Sequence, residues 1–237
     1  MNPIGVVICN YNKKDFVLQC VQSVLESKEK NFDIYVVDNA SSDGSAEALK
    51  KAYGNRITVI ENKENLGGSG GFNTGLRIVR DKGYSYFMCL DDDAAVDENA
   101  LSVLYHYMEE HTDTGMAGCR VYHTQMPDYI QQSGLLIDFD NCTAKTIGAD
   151  MPEDGSLPDV IECDTVATCA VMVRADTVKQ KGVGIMPEDN FIYWDDMEWG
   201  YRIKLAGYRV VTLAEAKALH QMGANTKKEN TFINYYM

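Results

Sequence analysis

Apolar positions in the first hundred residues follow two periods that alternate along the chain. Ile4-Gly5-Val6-Val7-Ile8-Cys9, Phe32-Asp33-Ile34-Tyr35-Val36-Val37, Ile57-Thr58-Val59-Ile60 and Tyr84 to Leu90 are short runs rich in β-branched and aromatic residues. Such runs predict strands covered on both faces. Between them apolar residues recur every three to four positions. Phe16, Cys20 and Val24 with Val17, Val21 and Leu25 predict a helix over Asp15 to Lys28. A shorter helix follows the Ser41-Ser42-Asp43-Gly44-Ser45 turn through Ala52, and a third carries Phe72, Leu76 and Val79 behind a run of glycines. Strand and helix in alternation predict a parallel, doubly wound sheet. Ligands of such sheets bind at the carboxyl ends of the strands. Asn10-Tyr11-Asn12, Asp38-Asn39, the glycine run and Asp91-Asp92-Asp93 are therefore expected to converge on one edge.

The second half is less regular. The pattern predicts a helix over Leu101 to Glu110 capped by Asp97, a strand over Gly115 to Val121, and a strand over Val166 to Val173. Arg174-Ala175-Asp176 opens a short helix. Tyr193 to Leu205 reads as an amphipathic helix with Met197, Tyr201 and Leu205 on one face, and Tyr208 to Leu213 as the last strand. Tyr122 to Cys163 reads as loops and hairpins inserted over the site. No repeat, linker or low-complexity segment divides the chain, which predicts a single domain over residues 1–237.

Composition narrows the function. With 45% hydrophobic residues the chain can bury a core, and a net charge of -13 argues against general nucleic-acid binding. One nucleotide can still bind where a metal ion bridges to its phosphates. Seven cysteines, without a C-x-x-C pair and mostly inside apolar runs, favour a reducing, cytoplasmic setting over disulfides or zinc. Neither a signal peptide nor an 18-residue apolar span is present. The aromatic ending Phe232-Ile233-Asn234-Tyr235-Tyr236-Met237 reads as a cut, the mark of a chain truncated at its C-terminus.

Three consecutive carboxylates at the end of an apolar strand repel one another, so Asp91-Asp92-Asp93 calls for a cation. Hard oxygen ligands suit Mg²⁺ or Mn²⁺; the alternative is a solvated acidic turn. Asn65-Leu66-Gly67-Gly68-Ser69-Gly70-Gly71 is neither a Walker loop nor a dinucleotide fingerprint. It allows close backbone approach at a helix start, to a ligand or to the sheet. In Trp194-Asp195-Asp196-Met197-Glu198 the aromatic neighbours favour a raised carboxyl proton affinity, suited to a general base. The alternative is a capped helix start with Arg202 pairing to Glu198. His106, His111, His123 and His220 each read first as packing or surface residues.

These five motifs stand in the order seen in family 2 inverting glycosyltransferases. The chain resembles the galactofuranosyltransferase and rhamnosyltransferase branch over nearly its whole length. The resemblance implies an α/β GT-A fold: a Rossmann-like, mostly parallel central sheet flanked by helices, with an irregular acceptor-side half. Residues to about 110 would form the nucleotide-sugar-binding half and about 111–237 the acceptor and catalytic-base half. The donor would be a UDP- or dTDP-sugar such as UDP-galactofuranose or dTDP-rhamnose, the cofactor Mn²⁺ or Mg²⁺, and the acceptor a hydroxyl of a glycan or lipid-linked glycan. By resemblance, Asp91 and Asp93 address the ribose and a metal-bound diphosphate, and His220 becomes a metal ligand. Asn10, Asn12, Asp38, Asn39, Asn65, Gly67, Gly68 and Asp92 belong to the donor site. The base falls to Asp195 or Asp196, with Asp196 preferred, and Trp194 and Glu198 lie on the acceptor side. Two departures stand out. Cys9-Asn10 replaces the Pro-Thr of many members. The chain also stops where many relatives continue into an accessory or membrane-associating region, which would hold a cytoplasmic enzyme at the inner face of the membrane. The other readings are a nucleotidyltransferase making a nucleotide sugar and a non-catalytic nucleotide- or sugar-binding module. The sequence specifies no oligomer.

Overall fold

The computed structural model describes residues 3–189, 191 and 194–221. The first half follows the hydrophobic pattern closely: β1 (Ile4–Asn10), α1 (Lys14–Glu26), β2 (Phe32–Asp38), α2 (Ser45–Tyr53), β3 (Thr58–Glu61), α3 (Gly67–Lys82) and β4 (Tyr86–Asp91). Then come β5 (Ala94–Val96), α4 (Ala100–Glu110), β6 (Thr114–His123), β7 (Met126–Gln132), β8 (Leu135–Asp138), β9 (Thr143–Thr146), β10 (Met151–Pro152), β11 (Val160–Glu162), β12 (Ala170–Arg174), α5 (Asp195–Leu205) and β13 (Arg209–His220).

Strands β3, β2, β1 and β4 lie side by side and parallel, in that order. β12 joins antiparallel between β4 and β6, and β13 runs parallel to β6. Residues in β1 alternate between two cores. Ile4, Val6 and Ile8 pack with Val17, Val21 and Val24 of α1 and Leu101, Leu104 and Met108 of α4. Val7 packs on the other side with Phe72, Leu76 and Val79 of α3 and with Trp199 and Ile203 of α5. Helices therefore cover both faces, as the continuous apolar strands require.

Three expectations are corrected. The buried face of α5 is Asp195, Trp199, Gly200 and Ile203, whereas Leu205 is 71% exposed. Trp199 wins because its indole N–H reaches the Gly184 carbonyl, 3.1 Å away, while its ring enters the core. The strand expected from Val166 starts later, at Ala170, after a turn at 168–169. The last strand does not stop at Leu213. A register shift between Leu213 and Lys217 lets β13 bulge and continue to His220. The Tyr122 to Cys163 stretch is hairpins and short strands, as expected. It is tied down by the buried Arg120, which donates to Ser133 Oγ (3.0 Å), Glu153 (3.0 Å) and the Pro158 carbonyl (2.6 Å).

Gly71 of the run and Gly75, one turn further along, serve packing of α3 on the sheet. A Cβ on Gly75 would stand 2.5 Å from Val7, and one on Gly71 would stand 2.4 Å from Cys9 Sγ and 3.0 Å from Asn39 Nδ2. Gly71→Ala is expected to cost about 1–3 kcal/mol of stability through overpacking, measured by chemical denaturation. An unchanged midpoint would mean that α3 can shift off β1 freely.

Candidate active site

Parallel pairing sets Asn10 of β1 opposite Asp38 of β2, and Cys9 opposite Asp91 of β4. Three of the polar strand ends thus form one row at the carboxyl edge. Asn10 Nδ2 donates to Asp38 Oδ1 (2.8 Å) and to Ser41 Oγ (3.1 Å), and the Ser41 N–H donates to Asp38 Oδ2 (3.0 Å). Asn12 takes a left-handed backbone (φ 54°), and its Oδ1 accepts the Ser42 N–H at 2.7 Å. The buried Asn39 is spent on shaping the neighbouring loop. Its Nδ2 donates to Asn65 Oδ1 and to the Gly67 carbonyl, both at 2.9 Å. Its Oδ1 accepts from Asn62 (3.0 Å) and from the Leu66 N–H (3.1 Å). Asn65 in turn accepts the Gly67 N–H. Asn39 and Asn65 therefore build the loop; Gly67, expected at the donor, is instead buried against the Phe191 carbonyl, and Gly68 is half-buried beside it. Gly67 has φ +76°, and the Gly68 N–H donates to the Phe191 carbonyl at 2.9 Å.

The three aspartates point three ways. Asp92 turns inward, where it accepts the Tyr11 N–H (3.0 Å) and faces Lys13 Nζ (3.0 Å). Burial pushes its carboxyl up to about 7 against the pull of Lys13. Asp93 is buried between Lys13 and His220: Lys13 Nζ lies 2.6 Å from Oδ2, and His220 Nε2 lies 3.2 Å from Oδ1. Burial would raise it, but His220 and Lys13 together hold it below the usual carboxylate range. Asp91 faces His220 Nε2 at 3.8 Å and is pushed up to about 6 by burial, with His220 opposing and Asp93 adding. Lys13 was missed in the sequence. Its signal was available: three adjacent carboxylates need compensation, and the turn after β1 must lie beside the end of β4.

His220 arrives from far along the chain. Past its bulge, β13 pairs antiparallel with β5, and His220 stands opposite Ala94, next to Asp93. Its Nδ1 lies 2.7 Å from Gln131 Oε1. One ligand atom each from Asp91, Asp93 and His220 lie within 4.8 Å of one another. Asp93 Oδ1 is buried and has no hydrogen-bond partner. A carboxylate oxygen facing an imidazole nitrogen lone pair calls for a proton or a metal ion, and two oxygens with one imidazole suit Mn²⁺ or Mg²⁺. The residues fit a divalent metal. Burial works against the His220 imidazolium, yet Asp93 and Asp91 raise its proton affinity above the ordinary value, so proton and metal compete for the same nitrogen.

Asp195 and Asp196 open α5, held by Thr165 Oγ1, which donates to the Asp196 carbonyl at 2.7 Å. Trp194 precedes them with φ 68°, an unusual backbone for a bulky residue, and is 44% exposed. The Asp195 carboxyl is raised by burial and lies beside Gly68, 3.6 Å from where a Cβ would stand. Burial and then the charge of Asp195 push Asp196 up to about 7. The charge of Asp196 adds the last of the contributions that raise Asp91. Glu198 pairs with Arg202 one turn on. His106 and His111 lie on α4 and at its end, away from these groups in the chain. His123 ends β6, within 3.5 Å of Gln131.

A mixed sheet with an acidic, metal-competent edge beside a glycine loop, and a pair of proton-binding carboxylates opening a helix next to that loop, defines a GT-A-type transferase domain. The chain belongs to glycosyl transferase family 2, whose model matches residues 5–171. It is 27% identical over 146 residues to a teichoic acid poly(glycerol phosphate) polymerase of Staphylococcus epidermidis, covering 60% of this chain and 19% of that protein. It is 30% identical over 109 residues to the Escherichia coli UDP-Glc:alpha-D-GlcNAc-diphosphoundecaprenol beta-1,3-glucosyltransferase WfaP, covering 46% and 42%. The chain thus spans less than half the length of these relatives. Its fold matches the mannosyltransferase PcManGT of Pyrobaculum calidifontis, solved with GDP-Man and Mn²⁺, with a TM-score of 0.68 at 15% identity, over 94% of this chain and 58% of that one. Among the described residues no helix is long and apolar enough to cross a membrane.

Proposed function

We propose that this chain is a metal-dependent inverting glycosyltransferase domain, which moves a sugar from a nucleotide-sugar donor to a hydroxyl of a glycan or lipid-linked acceptor. The observation that carries the reading is the convergence of Asp91, Asp93 and His220 at the strand edge. Asp91, Asp93 and His220 would hold Mn²⁺ or Mg²⁺, which when bound supplies Lewis-acid stabilisation to the departing nucleoside diphosphate. Asp38, Asn10 and Asn12 line the part of the edge that receives the nucleoside; of the two glycines only the half-buried Gly68 remains for the donor, because the Phe191 carbonyl occupies the space beside Gly67. Asp92, locked to Lys13 and the Tyr11 amide, fixes the turn without entering the metal set.

In the transfer, the bond between the anomeric carbon and the diphosphate oxygen breaks while the acceptor oxygen bonds the opposite face. The acceptor proton passes to Asp196, whose raised affinity suits that task. Asp195, beside Gly68, sits nearer the donor loop, and exposed Trp194 and Glu198 flank the acceptor side. One displacement inverts the anomeric centre. A covalent route through sulfur is disfavoured: burial drives the Cys9 and Cys169 thiols far up, so neither is a thiolate at neutral pH.

The donor is UDP- or dTDP-linked in this reading, a galactofuranose or rhamnose donor by sequence resemblance. The UDP-Glc in the name of one relative and its diphosphoundecaprenol acceptor support a uridine nucleotide and a lipid-linked glycan. The reaction would then run on the cytoplasmic side of the membrane. A thermal-shift panel of UDP-, dTDP- and GDP-sugars with and without Mn²⁺ tests this. A donor at about 100 times its Kd adds roughly 2.7 kcal/mol, so a Tm rise of roughly 5–10 °C is expected for one nucleotide class, and only with the metal. A panel in which no donor moves Tm under any metal condition would refute it.

A further inference from the structure

We infer that Gln131 is the residue that fixes which nitrogen of His220 faces the metal-competent site. The inference rests on the metal reading above only for its consequence, not for its geometry. In a regular strand Ile130 and Gln131 would point to opposite faces. Here Val121 pairs with Gln132 and Tyr122 with Ile130, so Gln131 is the extra residue of a β-bulge. Ile130 and Gln131 are both buried in consequence. Bulges re-aim side chains, and this one aims Gln131 at His220.

The side chain grips His220 twice. Gln131 Nε2 lies 3.3 Å from the His220 carbonyl, and Gln131 Oε1 lies 2.7 Å from His220 Nδ1. A carbonyl only accepts, so the amide nitrogen must face it. Oε1 then only accepts, so His220 must donate from Nδ1. The next residue outward enforces the same orientation. His123 Nε2 stands 2.8 Å from Asp150 Oδ1 and therefore carries a proton, which leaves its Nδ1 free to accept from Gln131 Nε2 at 3.5 Å. Turning the Gln131 amide over would set oxygen against the His220 carbonyl. The chain Asp150–His123–Gln131–His220 thus has one consistent assignment. It delivers the Nε2 lone pair of His220 toward Asp93 Oδ1 and Asp91 Oδ2, 3.2 and 3.8 Å away. Gln131 is a positioning residue: it touches neither substrate nor metal, and it decides whether His220 can act as a ligand. Partners of this kind typically govern metal affinity 10–100-fold.

The experiment reads the tautomer and the affinity separately. Histidine side-chain ¹⁵N NMR of the metal-free chain at pH 9 should show His220 protonated on Nδ1. Gln131→Met, which keeps length and loses the acceptor, should move the population toward the Nε2–H form. Gln131→Glu, which restores an acceptor, should return it to Nδ1–H. Gln131→Asn, too short to hold both contacts, should behave as Gln131→Met and serves if that variant does not fold. Mn²⁺ titrations by calorimetry should weaken about 10–100-fold in Gln131→Met and recover in Gln131→Glu. A wild-type His220 without a proton on Nδ1, or a tautomer unmoved by both Gln131→Met and Gln131→Asn, overturns the inference. A tautomer that follows Gln131 in a chain that binds no Mn²⁺ upholds the positioning role and refutes the metal reading instead.

Discussion

Asp196→Asn is expected to lower turnover by about 10²–10⁴-fold, the usual worth of a positioned general base, while donor and Mn²⁺ binding stay as in the wild type. Asparagine keeps the size of the side chain and its bond with the Met197 N–H, 2.8 Å from Asp196 Oδ1, so the loss reports the proton acceptor alone. Two pH signatures accompany it. Wild-type turnover should rise with pH through a transition near 7, because Asp196 is raised to about 7 by burial and by Asp195 and can accept a proton only when ionised. The stability effect has the opposite sense. A carboxyl whose folded affinity for protons exceeds its unfolded one, about 3.9, loses stability as pH climbs from about 4 to 7, and the whole cost is present above 7. Removing the charge should therefore raise Tm at pH 8 by roughly 2–6 °C, after allowing for solvent at the incompletely buried side chain. The gap should close near pH 4. Turnover within a factor of a few of wild type in Asp196→Asn would move the base to Asp195.

The second large effect separates the members of the acidic run. Asp93→Asn is expected to weaken Mn²⁺-dependent nucleotide binding by more than about 30-fold, the order of loss for removing one side of a buried, charge-assisted contact. Asp92→Asn should leave it within about threefold, a difference below about 1 kcal/mol. The reason is direction: Asp93 Oδ1 faces His220 and the shared ligand position, whereas both oxygens of Asp92 face Lys13 and the Tyr11 amide. Calorimetric titration of the two variants at constant Mn²⁺ gives the comparison. Equal losses would mean that the run binds as an undirected patch of charge.

Much of this was legible in the chain. The parallel half was readable because its strands are buried on both faces and its turns fall at their ends, which leaves little freedom in placing Asn10, Asp38 and Asp91 on one edge. The α5 face was misread because Met197, Tyr201 and Leu205 are as apolar as Trp199 and Ile203; periodicity gives two stripes, and only the covering sheet selects one. Gly71 and Gly75 were ambiguous for a related reason, since a close approach to β1 and one to a ligand ask for the same residue. His220 entered by family resemblance alone. No local rule predicts that β13 bulges after Leu213 and runs on to pair with β5. Gln131 was invisible for the same reason: its partner lies 89 residues away, and no spacing in the sequence carries that information.

The most direct test of the account is calorimetric titration of the chain with UDP and dTDP, once in Mn²⁺ and once in chelator, with Asp93→Asn in parallel. Saturable binding of one nucleotide that requires the metal and collapses in Asp93→Asn is the predicted result. Equal binding with metal and with chelator, unchanged in Asp93→Asn, would contradict it.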